Sequence, residues 1–332
     1  MADEAPAAKD ISPAPSIASE RSRAVSDADF PSILEHIEAE IRPTLGTGPV
    51  ESYIPALASV DKSGFAMAVA CIDGQVYQCG DAEHAFSIQS ISKVFALLQA
   101  LDLIDPDELW RRVGREPSGT AFNSLIQLES EAGIPRNPFI NSGAIVVTDV
   151  VTRHSVSPVL QILGLVRRFA DNPKIYIDED VARSERAHGD RNAAIAHLLK
   201  AQGNLNAPVA DVLHAYFNQC SIAMSCVDLA KAFLPLANRG CQPGSETPLL
   251  PAARAKRINA LMLTCGLYDG VGNFAYRVGI PAKSGVGGGI VGVVPGKCSI
   301  AVWSPELDEL GNSRAGTAAL EMLAHRAGLS IF

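Results

Sequence analysis

The sequence predicts an α/β (α+β) fold in which a mixed, mainly antiparallel sheet is flanked by helices and carries an inserted helical lobe. An apolar run at 64–71 and an alternating polar and apolar run at 75–79 predict a hairpin early in the chain, because the Asp73-Gly74 between them is a favoured hairpin turn. A second pair of runs, 290–294 and 298–303, predicts another hairpin near the end. The middle of the chain, roughly 106–239, has mostly helical spacing.

The chain divides into a tail and one large domain. Sixteen of the first 28 residues are Ala, Ser or Pro, and they show no hydrophobic period, which is typical of a disordered tail. We expect a single domain over 29–332, with a sheet lobe of about 29–89 and 242–332 and a helical lobe of about 90–241. Apolar periodicity and capping residues predict helices at 31–41, 90–103, 160–169, 192–202, 211–218 and 252–264, and a last helix that begins after Asn312 or Ser313 and ends at Gly328.

Composition and charge argue against several classes of protein. With 47% hydrophobic and 19% charged residues, the 332-residue chain can form a sizeable core. A net charge of −8 without a basic run is a poor match to nucleic acid or to an anionic membrane. No apolar stretch approaches about 18 residues, so no membrane span is predicted. The N-terminus lacks an apolar signal segment and the seven cysteines are scattered, which predicts a cytoplasmic protein with free thiols and no structural zinc.

The sharpest local feature is Ser90 followed by Lys93. If a helix begins at Ser90, both side chains lie on one face, and the lysine amine can reach the serine hydroxyl. Serine is a weak nucleophile until a base removes its proton, and a helix N-terminus favours a neutral amine and a developing oxyanion. Ser59 and Lys62 repeat the spacing, so spacing alone leaves an ordinary helix cap beside a solvated lysine as the alternative.

Two further motifs follow in the order found in serine acyl-transfer enzymes. Tyr216-Phe217-Asn218 has the Y-x-N form, and Tyr216 could relay a proton to a leaving group. Lys283-Ser284-Gly285 is predicted to lie on a strand, from which the Val286 N–H could join that of Ser90 in an oxyanion hole. Taken alone, these motifs also fit a core tyrosine and a Gly-rich turn. Gly287 to Gly292 spell GxGxxG, but a strand follows, so no dinucleotide site is predicted.

Longer segments around these motifs resemble the serine-dependent glutaminases. The resemblance runs from about residue 29 to the C-terminus. It is carried by 53–55, 86–95, 137–145, 265–269 and 281–290. It implies the β-lactamase/transpeptidase-like fold and the hydrolysis of L-glutamine to L-glutamate and ammonia, without a cofactor or metal.

The resemblance also implies a site. Ser90 would be the nucleophile, Lys93 its general base and Tyr216 an aid to proton transfer, with the N–H groups of Ser90 and Val286 binding the oxyanion. The residues implied to hold the substrate are Tyr53, Gln89, Ser90, Asn141, Glu185, Asn192, Tyr216, Tyr268 and Val286. A carboxylate such as Glu185 complements the α-ammonium of glutamine, while Asn and Tyr donors suit its α-carboxylate.

Three functions therefore stay open at this stage. The first is a cytoplasmic glutaminase that forms a covalent glutamyl-enzyme. The second is a β-lactamase or D,D-peptidase relative, although those substrates lie outside the cytoplasm and no export signal is present. The third is a non-catalytic amino-acid-binding protein, against which the intact Ser90 and Lys93 both count. By analogy with the family, a homodimer or homotetramer is expected.

Overall fold

A five-stranded antiparallel sheet organises the computed structural model, which describes residues 29–332. The tail predicted at 1–28 lies outside these residues. In chain order the strands are β1 (Ala66–Cys71), β2 (Val76–Gly80), β3 (Phe86–Ser87), β4 (Tyr176–Ile177), β5 (Ile222–Met224), β6 (Ala282–Ser284), β7 (Gly289–Val294) and β8 (Cys298–Trp303). The large sheet has the order β2-β1-β8-β7-β6, and β3-β5-β4 form a small second sheet. All of these pairs are antiparallel, so the predominance of antiparallel pairing is confirmed and no parallel pair of a mixed sheet occurs within residues 29–332.

Both predicted hairpins are confirmed. β1 pairs with β2 from Ala66 opposite Gly80, and β7 pairs with β8 from Gly289 opposite Trp303. In the first hairpin Gly74 has φ +94°, a conformation that glycine adopts without steric cost. The two hairpins join where β1 pairs with β8, so segments from both ends of the chain form one sheet.

The predicted helices are also present, with one difference that matters for the site. The helices are α1 (Phe30–Ile41), α2 (Pro55–Ala58), α3 (Ser92–Leu103), α4 (Pro106–Arg112), α5 (Leu125–Ser130), α6 (Asn141–His154), α7 (Pro158–Ala170), α8 (Glu179–Ala187), α9 (Asp190–Ala201), α10 (Val209–Cys220), α11 (Cys226–Ala237), α12 (Ala252–Cys265), α13 (Val271–Arg277) and α14 (Arg314–Arg326). The α-helix expected to begin at Ser90 begins instead at Ser92, after a 3-10 turn at Gln89–Ile91. Ser313 caps the last helix, one of the two caps predicted.

Helices cover both faces of the large sheet. Alternate residues of a strand point to opposite faces. Ala66 and Ala68 accordingly join the core formed with α3 and α11, while Met67 and Val69 join the core formed with α1 and α14. Since both faces are buried, β1 reads as a continuous apolar run rather than an alternating one.

A third apolar cluster lies among α6, α9 and α10. Two of the predicted site residues, Asn141 and Tyr216, lie on α6 and α10. α11 packs on β1, β7 and β8 although its residues fall in the range assigned to the helical lobe. The division into lobes stays a prediction.

None of the described helices combines the length and the apolar character that crossing a bilayer would need.

Candidate active site

One cavity of about 510 Å³ gathers most of the residues predicted for the site. Its lining includes Tyr53, Gln89, Ser90, Asn141, Glu185, Asn192, Tyr216 and Val286. Apart from the adjacent Gln89 and Ser90, these residues come from different parts of the chain. Lys93 does not line the cavity but contacts Asn141, which does. Tyr268 lines a neighbouring cavity of about 380 Å³, and Phe122 borders both.

Ser90 lies on a tight turn that the strand end at 285–287 contacts directly. Gln89 has φ +48°, an uncommon and strained conformation for a residue with a side chain, and such outliers cluster at functional sites. A Cβ added to Gly285 would lie 2.5 Å from the carbonyl oxygen of Ile88 and 3.2 Å from the Ser90 nitrogen. Only glycine permits this approach, which brings the residue before Val286 against the turn of Ser90.

Lys93 is a buried amine with two acceptors. Its Nζ donates to the Phe139 carbonyl oxygen at 3.1 Å and to Asn141 Oδ1 at 2.8 Å. Burial lowers the pKa of Lys93 to about 8, and the proximity of Cys220 and Glu185 opposes that fall. A neutral amine has two hydrogens, which these acceptors use, so its lone pair stays available to take a proton.

Tyr216 lies beside this amine. The Lys93 Nζ is 5.9 Å from the centroid of its ring, and the residue is buried on α10. Burial raises the pKa of Tyr216 well above its ordinary value, so the phenol keeps its proton and acts as a donor.

Two amides and a carboxylate form another part of the lining. Asn141 Nδ2 donates to Asn192 Oδ1 at 2.9 Å, which links the first turns of α6 and α9. Glu185 is buried on α8 and forms no salt bridge within residues 29–332. Burial raises the pKa of Glu185 to about 7, opposed by a hydrogen bond from Gln89 and by the charge of Lys93. An unpaired buried carboxylate gains free energy from a cationic ligand.

Two further tyrosines belong to the predicted site, one in this cavity and one in its neighbour. Tyr53 is half exposed, and its hydroxyl donates to the carbonyl oxygen of His188 at the end of α8. Tyr268 has φ +50°, and its ring lies 4.6 Å from that of Phe122, centroid to centroid. Within residues 29–332 the buried Tyr268 hydroxyl has no hydrogen-bond partner of normal geometry, but Ser90 and Ser284 are close enough to moderate the rise that burial causes in the pKa of Tyr268.

Several lining residues were not predicted. They are Glu51, Ile54, Phe122, Asn123, Arg191 and Cys220. A signal existed for two of them: Cys220 follows Tyr216 by four residues on α10, so both share a helix face, and Arg191 precedes Asn192. The second S-x-x-K pair contrasts with the first, since Ser59 and Lys62 are both exposed.

The sequence of this chain is similar to those of known glutaminases. The family model described as Glutaminase matches residues 48–332. Glutaminases from Aeromonas hydrophila subsp. hydrophila and Aeromonas salmonicida are 57% and 58% identical over 300 residues, covering 90% of this chain and 98% of each relative.

Solved structures give the same result. The probable glutaminase ybaS superposes with a TM-score of 0.86 at 35% identity, covering 91% of this chain and 98% of that one. A Bacillus glutaminase superposes with a TM-score of 0.83 at 33% identity, covering 92% and 100%. The predicted β-lactamase/transpeptidase-like fold is confirmed by these neighbours. The chain therefore belongs to the glutaminase family, whose activity is the hydrolysis of L-glutamine to L-glutamate and ammonia.

Proposed function

We propose that this glutaminase acts through a covalent acyl-serine on Ser90, with Lys93 as the general base. The observation that carries the proposal is the environment of Lys93, a fully buried amine one helical turn from Ser90 whose two hydrogen bonds go to neutral oxygens. Since no carboxylate of residues 29–332 forms a salt bridge with it, burial favours the neutral amine that a general base must be.

In the first half of the reaction, Ser90 Oγ attacks the side-chain amide carbon of glutamine and its proton passes to Lys93 Nζ. The carbonyl oxygen becomes an oxyanion, which the N–H groups of Ser90 and Val286 stabilise. The C–N bond then breaks. The departing nitrogen takes the proton from Lys93, with Tyr216 assisting the transfer, and leaves as ammonia.

In the second half, water attacks the ester carbon and gives a proton to Lys93. The bond from that carbon to Ser90 Oγ breaks, and the serine recovers its proton from Lys93. Glutamate leaves, and the enzyme returns to its starting state. Every proton transfer uses a group of the chain, water or the substrate.

Substrate recognition follows from the charges around the cavity. Glu185 would pair with the α-ammonium of glutamine, which offsets the burial of its carboxylate. Asn192 accepts through Oδ1, and this contact orients its amide nitrogen to donate to the α-carboxylate. Gln89, Asn141, Tyr53 and Tyr268 would complete the contacts.

We also propose that the enzyme acts in the cytoplasm as a homodimer or homotetramer. The seven cysteines are free thiols, six of them buried, as expected in a reducing compartment. The proposed assembly follows the family resemblance and is tested by the mass in solution from light scattering.

Ammonia release from glutamine tests the mechanism. Ser90→Ala should abolish turnover while glutamine still binds, and Ser59→Ala, in the exposed copy of the motif, should leave turnover unchanged. Quenching the wild-type reaction should trap a glutamyl ester on the peptide that contains Ser90. Turnover retained in Ser90→Ala, or hydrolysis of a penicillin reporter but not of glutamine, would contradict the proposal.

A further inference from the structure

Glu51 brings a second carboxylate to the substrate cavity, and the proposed reaction does not use it. The residue is half-buried and borders both the cavity that contains Ser90 and a neighbouring cavity of about 520 Å³. Among the lining residues of the substrate cavity that the structure describes, Glu51 and Glu185 are the two with a carboxylate. The cavity therefore has two acidic groups, of which only Glu185 has been given a role.

The backbone on both sides of Glu51 is fixed by contacts with remote parts of the chain. Before it, the nitrogen of Gly48 donates to the buried carboxylate of Glu306. After it, the Tyr53 hydroxyl donates to the carbonyl oxygen of His188 at the end of α8. Because the segment is held at both ends, the position of the Glu51 side chain is set by the fold.

The carboxylate of Glu51 is oriented by the chain but not neutralised by it. Its Oε1 accepts from the backbone nitrogen of Tyr53 at 2.6 Å. No salt bridge joins Glu51 to a basic group within residues 29–332. Arg191, the one basic residue among the described lining residues, donates through Nε to the carbonyl oxygen of Asn123 at 3.0 Å instead. The charge of Glu51 is therefore available to a cationic ligand.

The charges of Glu51 and Glu185 act on each other. Burial is the main cause of the raised pKa of Glu185, and the charge of Glu51 adds to the rise. Two like charges that share a site disfavour one another, whereas a cation placed between them is attracted by both. In the hydrolysis of glutamine, the α-ammonium is the cationic group that the substrate brings.

We propose that Glu51 is a second binding residue for the α-ammonium of glutamine, which lies between the carboxylates of Glu51 and Glu185 in the bound state. The inference rests on the proposed contact between Glu185 and the ammonium. Glu185 is buried and supplies the stronger attraction, while Glu51 is half-buried and its attraction is partly screened by water. A ligand without the ammonium brings no charge to offset the two carboxylates.

A comparison of two ligands tests the inference. Glu51→Gln removes the charge and nearly keeps the shape, so KM for glutamine should rise about 5- to 10-fold with kcat nearly unchanged. 4-Carbamoylbutanoate is glutamine without its amino group, and its inhibition constant against glutamine hydrolysis should not rise in the same variant. Glu51→Asp keeps the charge, so its KM should stay within about threefold of the wild-type value.

Glu83→Gln, at an exposed position outside both cavities, is the matched control and should leave KM unchanged. An unchanged KM in Glu51→Gln would overturn the inference. Equal rises in KM for glutamine and in the inhibition constant of 4-carbamoylbutanoate would do the same, since a purely structural effect does not depend on the ammonium. Failure of both Glu51 variants to fold would also count against it, because the residue would then act through the fold.

These measurements separate the inference from the proposed function. If Glu185→Gln raises KM and Glu51→Gln does not, only the second carboxylate is removed from the site. If neither variant raises KM, the proposed ammonium contact of Glu185 is wrong as well. The Ser90→Ala assay concerns the covalent mechanism and is independent of both results.

Discussion

Lys93 Nζ lies 2.8 Å from Asn141 Oδ1, so the proposed base is hydrogen-bonded to a residue of the substrate cavity. The amide is neutral and leaves the pKa of Lys93 lowered to about 8 by burial. Asn141 in turn donates to Asn192. The proposed base and two of the proposed substrate contacts therefore belong to one hydrogen-bonded chain.

Asn141→Asp should move the activity to higher pH. A carboxylate beside Lys93 favours the charged amine and raises its pKa, whereas the base must be neutral to act. We expect the pH at which kcat is half-maximal to rise by at least about one unit, with about a tenfold loss of kcat at pH 7. Profiles of kcat against pH for the variant and wild type measure this. An unchanged midpoint would argue against Lys93 as the base.

The wild-type enzyme should gain kcat/KM with rising pH through two ionisations. The pKa of Glu185 is raised to about 7, and the carboxylate must be charged for the contact with the ammonium that we propose. The pKa of Lys93 is lowered to about 8 and the amine must be neutral. Both requirements favour higher pH, so log kcat/KM should climb with a slope approaching two below about pH 7. A slope of one throughout would mean that only one of these groups governs activity.

Glu185→Gln should weaken substrate binding. The variant loses a charged hydrogen bond to the α-ammonium, worth about 1.5–3 kcal/mol, so KM should rise about 10- to 100-fold. Without the carboxylate, the ionisation near pH 7 should disappear from the profile of kcat/KM against pH. Glu179→Gln, an exposed position on the same helix, is the control. An unchanged KM in Glu185→Gln would remove the residue from the site.

Gly285→Ala should lower kcat in a variant that still folds. The added methyl would lie 2.5 Å from the Ile88 carbonyl oxygen and force the strand end away from the Ser90 turn. Loss of one oxyanion donor costs about 100- to 1,000-fold in kcat. Gly272→Ala, where a Cβ meets nothing within 4 Å, should leave kcat unchanged. Equal kcat values in the two variants would contradict the proposed oxyanion hole.

Asp149→Ala should destabilise the fold. The Asp149 carboxylate is fully buried, lies 2.5 Å from Arg112, and accepts from the backbone nitrogens of Asn206 and Ala207, just before α10. Removing one partner of a buried ion pair typically costs about 3–5 kcal/mol. Denaturant unfolding measures the change. Asp180→Ala, in an exposed pair with Arg183, should change stability by less than about 1 kcal/mol.

Local patterns in the sequence were sufficient for most of the elements. The Asp-Gly turn with φ +94° at Gly74 and the apolar spacing of α1 are set by residues close together in the chain. The prediction that α3 begins at Ser90 is wrong, since a 3-10 turn at Gln89–Ile91 precedes the helix. This turn depends on contacts from β6 and Gly285, which are remote in sequence.

The sequence by itself determined the hairpins, the helices and the family, and through the family resemblance it gave the candidate residues of the site. Only the tertiary structure decided the protonation of that site. The lowered pKa of Lys93 and the raised pKa of Glu185 come from burial, and burial depends on which segments pack together. The contact of Lys283 Nζ with the Tyr268 ring, 4.8 Å from its centroid, was decided in the same way, because contacts between remote segments leave no periodic signal in the chain.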